Sequence, residues 1–150
     1  MSFSHFEILD KKRFVGRSTV TNNKLEISGA GKIPSLWTLC KEKNEGSQIA
    51  LYSNYESDEY GTYTFSLGSF TELQPEQSTH NVITLPASTY AVFVSRRGLV
   101  EEVVLETWQE IWTWDKKSLR TYTGDFEVYD HIMDQKDAQV AIYVAVNHII

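Results

Sequence analysis

Ile49-Ala50-Leu51-Tyr52 and Phe126-Glu127-Val128-Tyr129 are the two stretches on which the reading of the fold turns. Each is short, rich in strand-forming side chains and closed by a tyrosine. Tyr52 and Tyr129 stand 77 positions apart (129 − 52). A helical pattern precedes each. Lys32 to Glu42 sets Ile33, Leu36, Trp37 and Cys40 on one face, with Pro34 in the first turn, where its missing N–H costs little. Leu99 to Trp114 sets Val100, Val104, Trp108 and Ile111 on one stripe, and Glu101 and Glu102 complement its positive N-terminal end. Trp37 and Trp108 then correspond at a displacement of 71 (108 − 37). After each short strand comes another: Tyr63-Thr64-Phe65-Ser66 lies against Ile142-Tyr143-Val144-Ala145 at about the same displacement.

Two strand–helix–strand–strand units follow from this order. They predict one α+β domain in which a sheet is covered by two helices. The chain reads as one domain of 150 residues, with halves of roughly 1–75 and 76–150. The remaining segments fit the same plan. Phe6 to Gly16 reads as extended and leads to a polar loop at Thr21-Asn22-Asn23. Val82 to Leu85, Pro86 and Tyr90 to Val94 give two strands or one bent strand, and Gln139 to Val146 gives a strong closing strand. The acidic run Glu56 to Gly61 reads as a hairpin loop. One mismatch between the halves stands out. Glu127 falls opposite Ala50 in the alignment, so an inward face would put its carboxylate between the halves.

Composition narrows the function classes. The formal net charge is −6, and the basic runs Lys11-Lys12-Arg13, Arg96-Arg97 and Lys116-Lys117 are short and set among acids. A phosphate-neutralising surface is not there, so direct nucleic-acid binding is not expected. An acidic surface instead favours cationic partners through its long-range field. No apolar run suits a signal peptide or a membrane span, and Cys40 is the single cysteine. A cytoplasmic location and no membrane partner follow as expectations. Four Trp, eight Tyr and seven Phe serve either a bulky core or the walls of a pocket for flat ligands.

The run Leu85-Pro86-Ala87-Ser88-Thr89-Tyr90-Ala91-Val92-Phe93 resembles a proline–alanine–(small)–tyrosine strand of a known family. Thr107-Trp108-Gln109-Glu110-Ile111-Trp112, Asp125-Phe126-Glu127-Val128-Tyr129 and Ile142-Tyr143-Val144-Ala145-Val146 match it too, in order and spacing. Leu36-Trp37 and the Tyr52 to Gly68 hairpin extend the match over nearly the whole chain. Together they resemble the gyrase-inhibitor-like domain, also called the AraC-type or Rob-type effector-binding domain of bacterial transcription regulation. The resemblance implies a duplicated α+β fold with pseudo-twofold symmetry, an antiparallel sheet carrying two helices, and a ligand cleft between the repeats. It also implies that a buried glutamate there, Glu127, pairs with cationic aromatic drugs, and that Tyr143 lines the same cleft. Relatives with a second acid two residues before that tyrosine would place it at Ala141, which is apolar here. The helix-turn-helix module that often accompanies the domain is not found in the sequence.

Glu127 is therefore the leading ligand-binding candidate, against the default of a solvated strand glutamate. A carboxylate among rings lacks solvation, and a ligand cation restores a compensating charge. Trp37 and Trp108 are candidate walls, although a Trp on an apolar helix stripe also suits a core. Tyr90 and Tyr143 sit on strands, where either face is open to them. Trp112 and Trp114 suit the helix end. No catalytic set, metal-ligand spacing, phosphate loop or cofactor motif assembles: His5, His80, His131 and His148 are scattered, and Cys40 suits a buried structural thiol. The expected function is a stand-alone, non-catalytic module for cationic, lipophilic small molecules. The alternatives are an inhibitor acting on a protein partner and a hydrolase that uses the cleft glutamate. Analogy alone suggests a homodimer.

Overall fold

The computed structural model describes residues 2–42, 49–58, 60–72, 82–129 and 136–147. Its strands are β1 (Phe3–Leu9), β2 (Lys12–Asn22), β3 (Ile49–Ser53), β4 (Thr62–Thr71), β5 (Val82–Leu85), β6 (Ser88–Val94), β7 (Asp125–Val128) and β8 (Ala141–Val146). Helices α1 (Asn23–Ser28), α2 (Ile33–Glu42) and α3 (Val100–Trp112) complete the α+β fold, with a 3₁₀ turn at Lys117–Leu119. All strands join one antiparallel sheet in the order β1-β6-β8-β7-β3-β4-β2-β5.

The ladders repeat with a near-constant displacement. Lys12 pairs with Leu85 and Ser88 with Leu9, so β2 maps onto β6, and β1 onto β5, at 76 (88 − 12; 85 − 9). Ala50 pairs with Leu67 and Glu127 with Ile142, so β4 maps onto β8 at 75 (142 − 67). The pairing thus corrects the match of Tyr63 to Ile142 by four residues. The slip is even, so each side chain keeps its face. Ala50 also pairs with Glu127 across β3 and β7. These two positions are equivalent at 77, so the pseudo-twofold axis runs between them. The first strands are exchanged: β1 leaves its own half to pair with β6, and β5 leaves the second half to pair with β2.

The segment Thr21-Asn22-Asn23 is not a loop. Asn22 caps a short helix, its side chain accepting from Leu25 N–H at 2.8 Å, and Gly29 closes that helix with φ 87°. Such a cap lets a polar pair start a helix directly after a strand. In α3 the buried stripe is Val103, Thr107, Trp108 and Ile111, with Val100 and Val104 half-buried at its flank. Trp114 packs on Phe3, Phe6 and Phe93, covering the helix end with the first strand.

Both faces of the sheet are buried. The helix-covered face carries two clusters, one built around Trp108, Ile111, Ile142 and Val144, the other around Leu36, Cys40, Ala50 and Phe65. On the opposite face, Phe14, Leu51, Leu85, Tyr90 and Phe126 form a third. Phe70 of β4 meets Phe126 of β7 at 5.1 Å although β3 lies between them, so the sheet curls around this cluster. Central strands buried on both faces read as continuous apolar runs. In β7 two buried acids, Asp125 and Glu127, break the run.

Candidate functional site

The β alternation turns Phe126 to the curled face and Glu127 to the helices. Glu127 is 2% exposed. Three donors converge on its carboxylate: Tyr52 Oη–H at 2.8 Å and Trp108 Nε1–H at 2.6 Å on Oε2, and Tyr129 Oη–H at 2.5 Å on Oε1. Among the described residues no cation forms an ion pair with it. Burial raises its pKa above the usual carboxylate range, and the three hydrogen bonds oppose that rise without cancelling it. Burial, and next the Glu127 charge, holds the Tyr52 and Tyr129 phenols well above their ordinary range, so both stay donors.

The rings obey the pseudo-twofold axis. Trp108 of α3 packs edge-on against Tyr52 at 5.1 Å, and Trp37 of α2 packs edge-on against Tyr129 at 5.2 Å. Each wall therefore combines a helix Trp from one half with a strand Tyr from the other. Glu127 bridges the two walls, each tyrosine holding one of its oxygens. Trp37, Tyr52 and Tyr129 are half-buried, whereas Trp108 and Glu127 are buried. The outer rings thus stand between solvent and the charge. An aromatic ring attracts a cation over its face by about 0.5–2 kcal/mol.

A second buried acid lies two residues before Glu127. Asp125 accepts from Arg120 Nη2 at 2.8 Å, from Tyr55 Oη at 2.6 Å and from the Ala145 backbone N–H at 2.8 Å. Its charge is matched inside the protein. The Arg120 guanidinium lies 4.3 Å from the Tyr122 ring centroid and 5.9 Å from that of Trp108. From Trp108 to Tyr129 is 21 residues, against 15 from Trp37 to Tyr52 (129 − 108; 52 − 37), and this longer connection carries Arg120 and Tyr122.

Of the residues singled out from sequence, the structure brings together Glu127 and Trp108 directly, and Trp37 through Tyr129. It separates Tyr90 and Tyr143 from them. Tyr143 pairs with Phe126 and stacks on it at 4.7 Å, and Tyr90 meets Phe126 at 5.3 Å, so both belong to the curled face. The sequence reading passed over Tyr52 and Tyr129 as site residues. Their signal was present in the repeated strands that each of them closes. Cys40 is buried beside Leu36, and His80, His131, His148 and Glu59 lie outside the described residues. Among the described residues no three His, Cys, Asp or Glu side chains gather to hold a metal, and no helix is long and apolar enough to cross a membrane. A separate cavity of about 340 Å³ is lined by Ile8, Thr89, Thr121 and Asn147 among others, and no ionisable side chain stands among the described residues that line it.

Residues 6–146 match the family described as integron-associated effector binding protein. The chain is 51% identical to YobU of Bacillus subtilis (strain 168), a protein named among transcriptional regulators, over 97% of this chain and 99% of that one. An integron cassette protein of Vibrio cholerae shares the fold with a TM-score of 0.76 at 25% identity, covering 97% of this chain and 98% of its own. The structure of SAV2435 bound to tetraphenylphosphonium superimposes with a TM-score of 0.78 at 18% identity, covering 98% and 94%. The relatives are thus named as regulators or effector-binding proteins.

Proposed function

This chain belongs to the family of integron-associated effector-binding proteins, and on that premise we propose that it captures cationic, amphipathic aromatic small molecules against Glu127. One observation carries the reading: a buried carboxylate held by three neutral donors and flanked by two aromatic walls, with no cation paired to it among the described residues. Neutral donors stabilise the charge only in part, as its raised pKa reflects. A lipophilic cation supplies the missing countercharge, and the half-buried rings of Trp37, Tyr52 and Tyr129 receive its aryl groups. The likeness to a protein whose structure holds tetraphenylphosphonium supports the same ligand class.

Tryptophan fluorescence tests the proposal, because Trp37 and Trp108 belong to the two walls. Tetraphenylphosphonium should change the emission saturably, whereas the neutral triphenylphosphine oxide should bind at least about tenfold more weakly. Glu127→Gln should erase that preference. Equal response to the cation and the neutral compound would overturn the reading.

A further inference from the structure

We infer that Ala50 sets the charge of the ligand this site accepts: a single cationic centre on the pseudo-twofold axis, with aromatic arms directed to the two walls. The inference rests on the cation-binding reading and adds to it the placement and number of charges.

The argument begins with the register. Ala50 and Glu127 are direct cross-strand partners, so their side chains leave the same face of the sheet. They are also equivalent positions of the two halves, and both are buried, at 0% and 2% exposure. The walls duplicate across the axis, Trp108 with Tyr52 and Trp37 with Tyr129, at 5.1 and 5.2 Å. The charge does not. A glutamate at position 50 would give the site two carboxylates, one for each wall. A methyl group there leaves one carboxylate shared by both tyrosines. Of the other described acids near these rings, Asp125 is matched by Arg120 at 2.8 Å, and Glu26, which lies toward Tyr63, is taken up by the Thr21 hydroxyl and the Lys32 and Ile33 N–H groups. Among the described residues the site therefore presents two matching aromatic walls and one carboxylate between them with no cation paired to it. Its complement is an onium whose charge lies at the branching point of its aryl groups. A second cationic head would sit against a wall with no carboxylate and would lose hydration without recompense.

The first test moves the charge across the axis. Tetraphenylphosphonium is titrated into wild type, Glu127→Ala, and the double variant Glu127→Ala with Ala50→Glu, with circular dichroism reporting the fold. The single variant should lose at least about tenfold in affinity, and the double variant should recover to within about threefold of wild type. A folded double variant that fails to recover would overturn the inference. The second test needs only the wild type. Dequalinium, with a quinolinium charge at each end, is compared with its one-headed decyl analogue. The two-headed compound should gain no more than the roughly twofold statistical factor, and a gain above about tenfold would equally overturn the inference. Should no onium bind the wild type at all, the cation-binding reading itself fails.

Discussion

Arg120 donates to Asp125 at 2.8 Å while their side chains are only 1% and 0% exposed, which makes this pair the interior counterpart of the lone Glu127. The two acids lie two residues apart on β7 and differ in how their charges are met. Asp125 has an arginine, a tyrosine and a backbone N–H. Among the described residues Glu127 has neutral donors only. Two environments, set a strand pleat apart, divide the acids into one whose charge is met by an ion pair and one held by uncharged donors.

Removing the arginine should therefore be costly. Arg120→Met would leave Asp125 buried and unmatched, at an expected loss of about 3–5 kcal/mol in urea denaturation. Adding Asp125→Asn should restore most of it, because the amide needs no countercharge. A double variant as unstable as the single one would show that Arg120 acts through packing on Tyr122 and Trp108.

The pH dependence of Glu127 has a definite sign. Its folded pKa is raised, chiefly by burial. The unfolded chain ionises near pH 4.3, before the folded one does. The stability contributed by the neutral form is thus complete below about pH 4.3 and is lost as pH rises through the raised folded value. A bound cation compensates the ionised form. The thermal shift from tetraphenylphosphonium should accordingly grow as pH rises through that window. In Glu127→Gln it should be flat, and a pH-dependent shift there would assign the titration to another group.

The fold was legible because duplication shows twice, in the helix tryptophans and in the four-residue strands. Glu127 was legible for the same reason, as an ionisable residue where the other half has alanine. The faces of Tyr90 and Tyr143 were not. Strand alternation fixes relative faces within a strand, but only the pairing of Tyr143 with Phe126 ties that strand to the curled side. Helix α1 was hidden because asparagine serves loops and N-caps alike, and only the Asn22 bond to Leu25 N–H distinguishes the two. The Arg120–Asp125 pair was hidden because its partners meet around a turn, through Tyr122 at φ 54° and Gly124 at φ 152°.

That turn supplies a further prediction. Gly124 has a φ that side chains rarely adopt, and a Cβ there would come within 2.5 Å of Leu85 Cδ2. Gly124→Ala should cost roughly 1–3 kcal/mol from backbone strain. Because Asp125 is the next residue, the ion pair should weaken with it. Leu85→Ala removes the contact but empties part of the buried core, so it serves as the reference. If the φ carries the cost, Gly124→Ala should destabilise the Leu85→Ala protein about as much as wild type in thermal melts; no further loss there would mean the contact alone mattered.

The tyrosines should prove separable from the walls they belong to. Tyr52→Phe and Tyr129→Phe each keep the ring and remove one donor from Glu127, at Oε2 and Oε1 respectively. A carboxylate that loses a donor is harder to ionise, so its pKa should rise further in either variant. Cation binding needs the ionised form, so the pH at which tetraphenylphosphonium binding fades on acidification should move upward in both. The ring contacts to Trp108 and Trp37 do not depend on the hydroxyl, so affinity well above that pH should not collapse. The double variant should move the midpoint further than either single one, since the two donors serve different oxygens. An unmoved midpoint with reduced affinity at every pH would mean that the hydroxyls shape the site, with no part in setting the charge of Glu127.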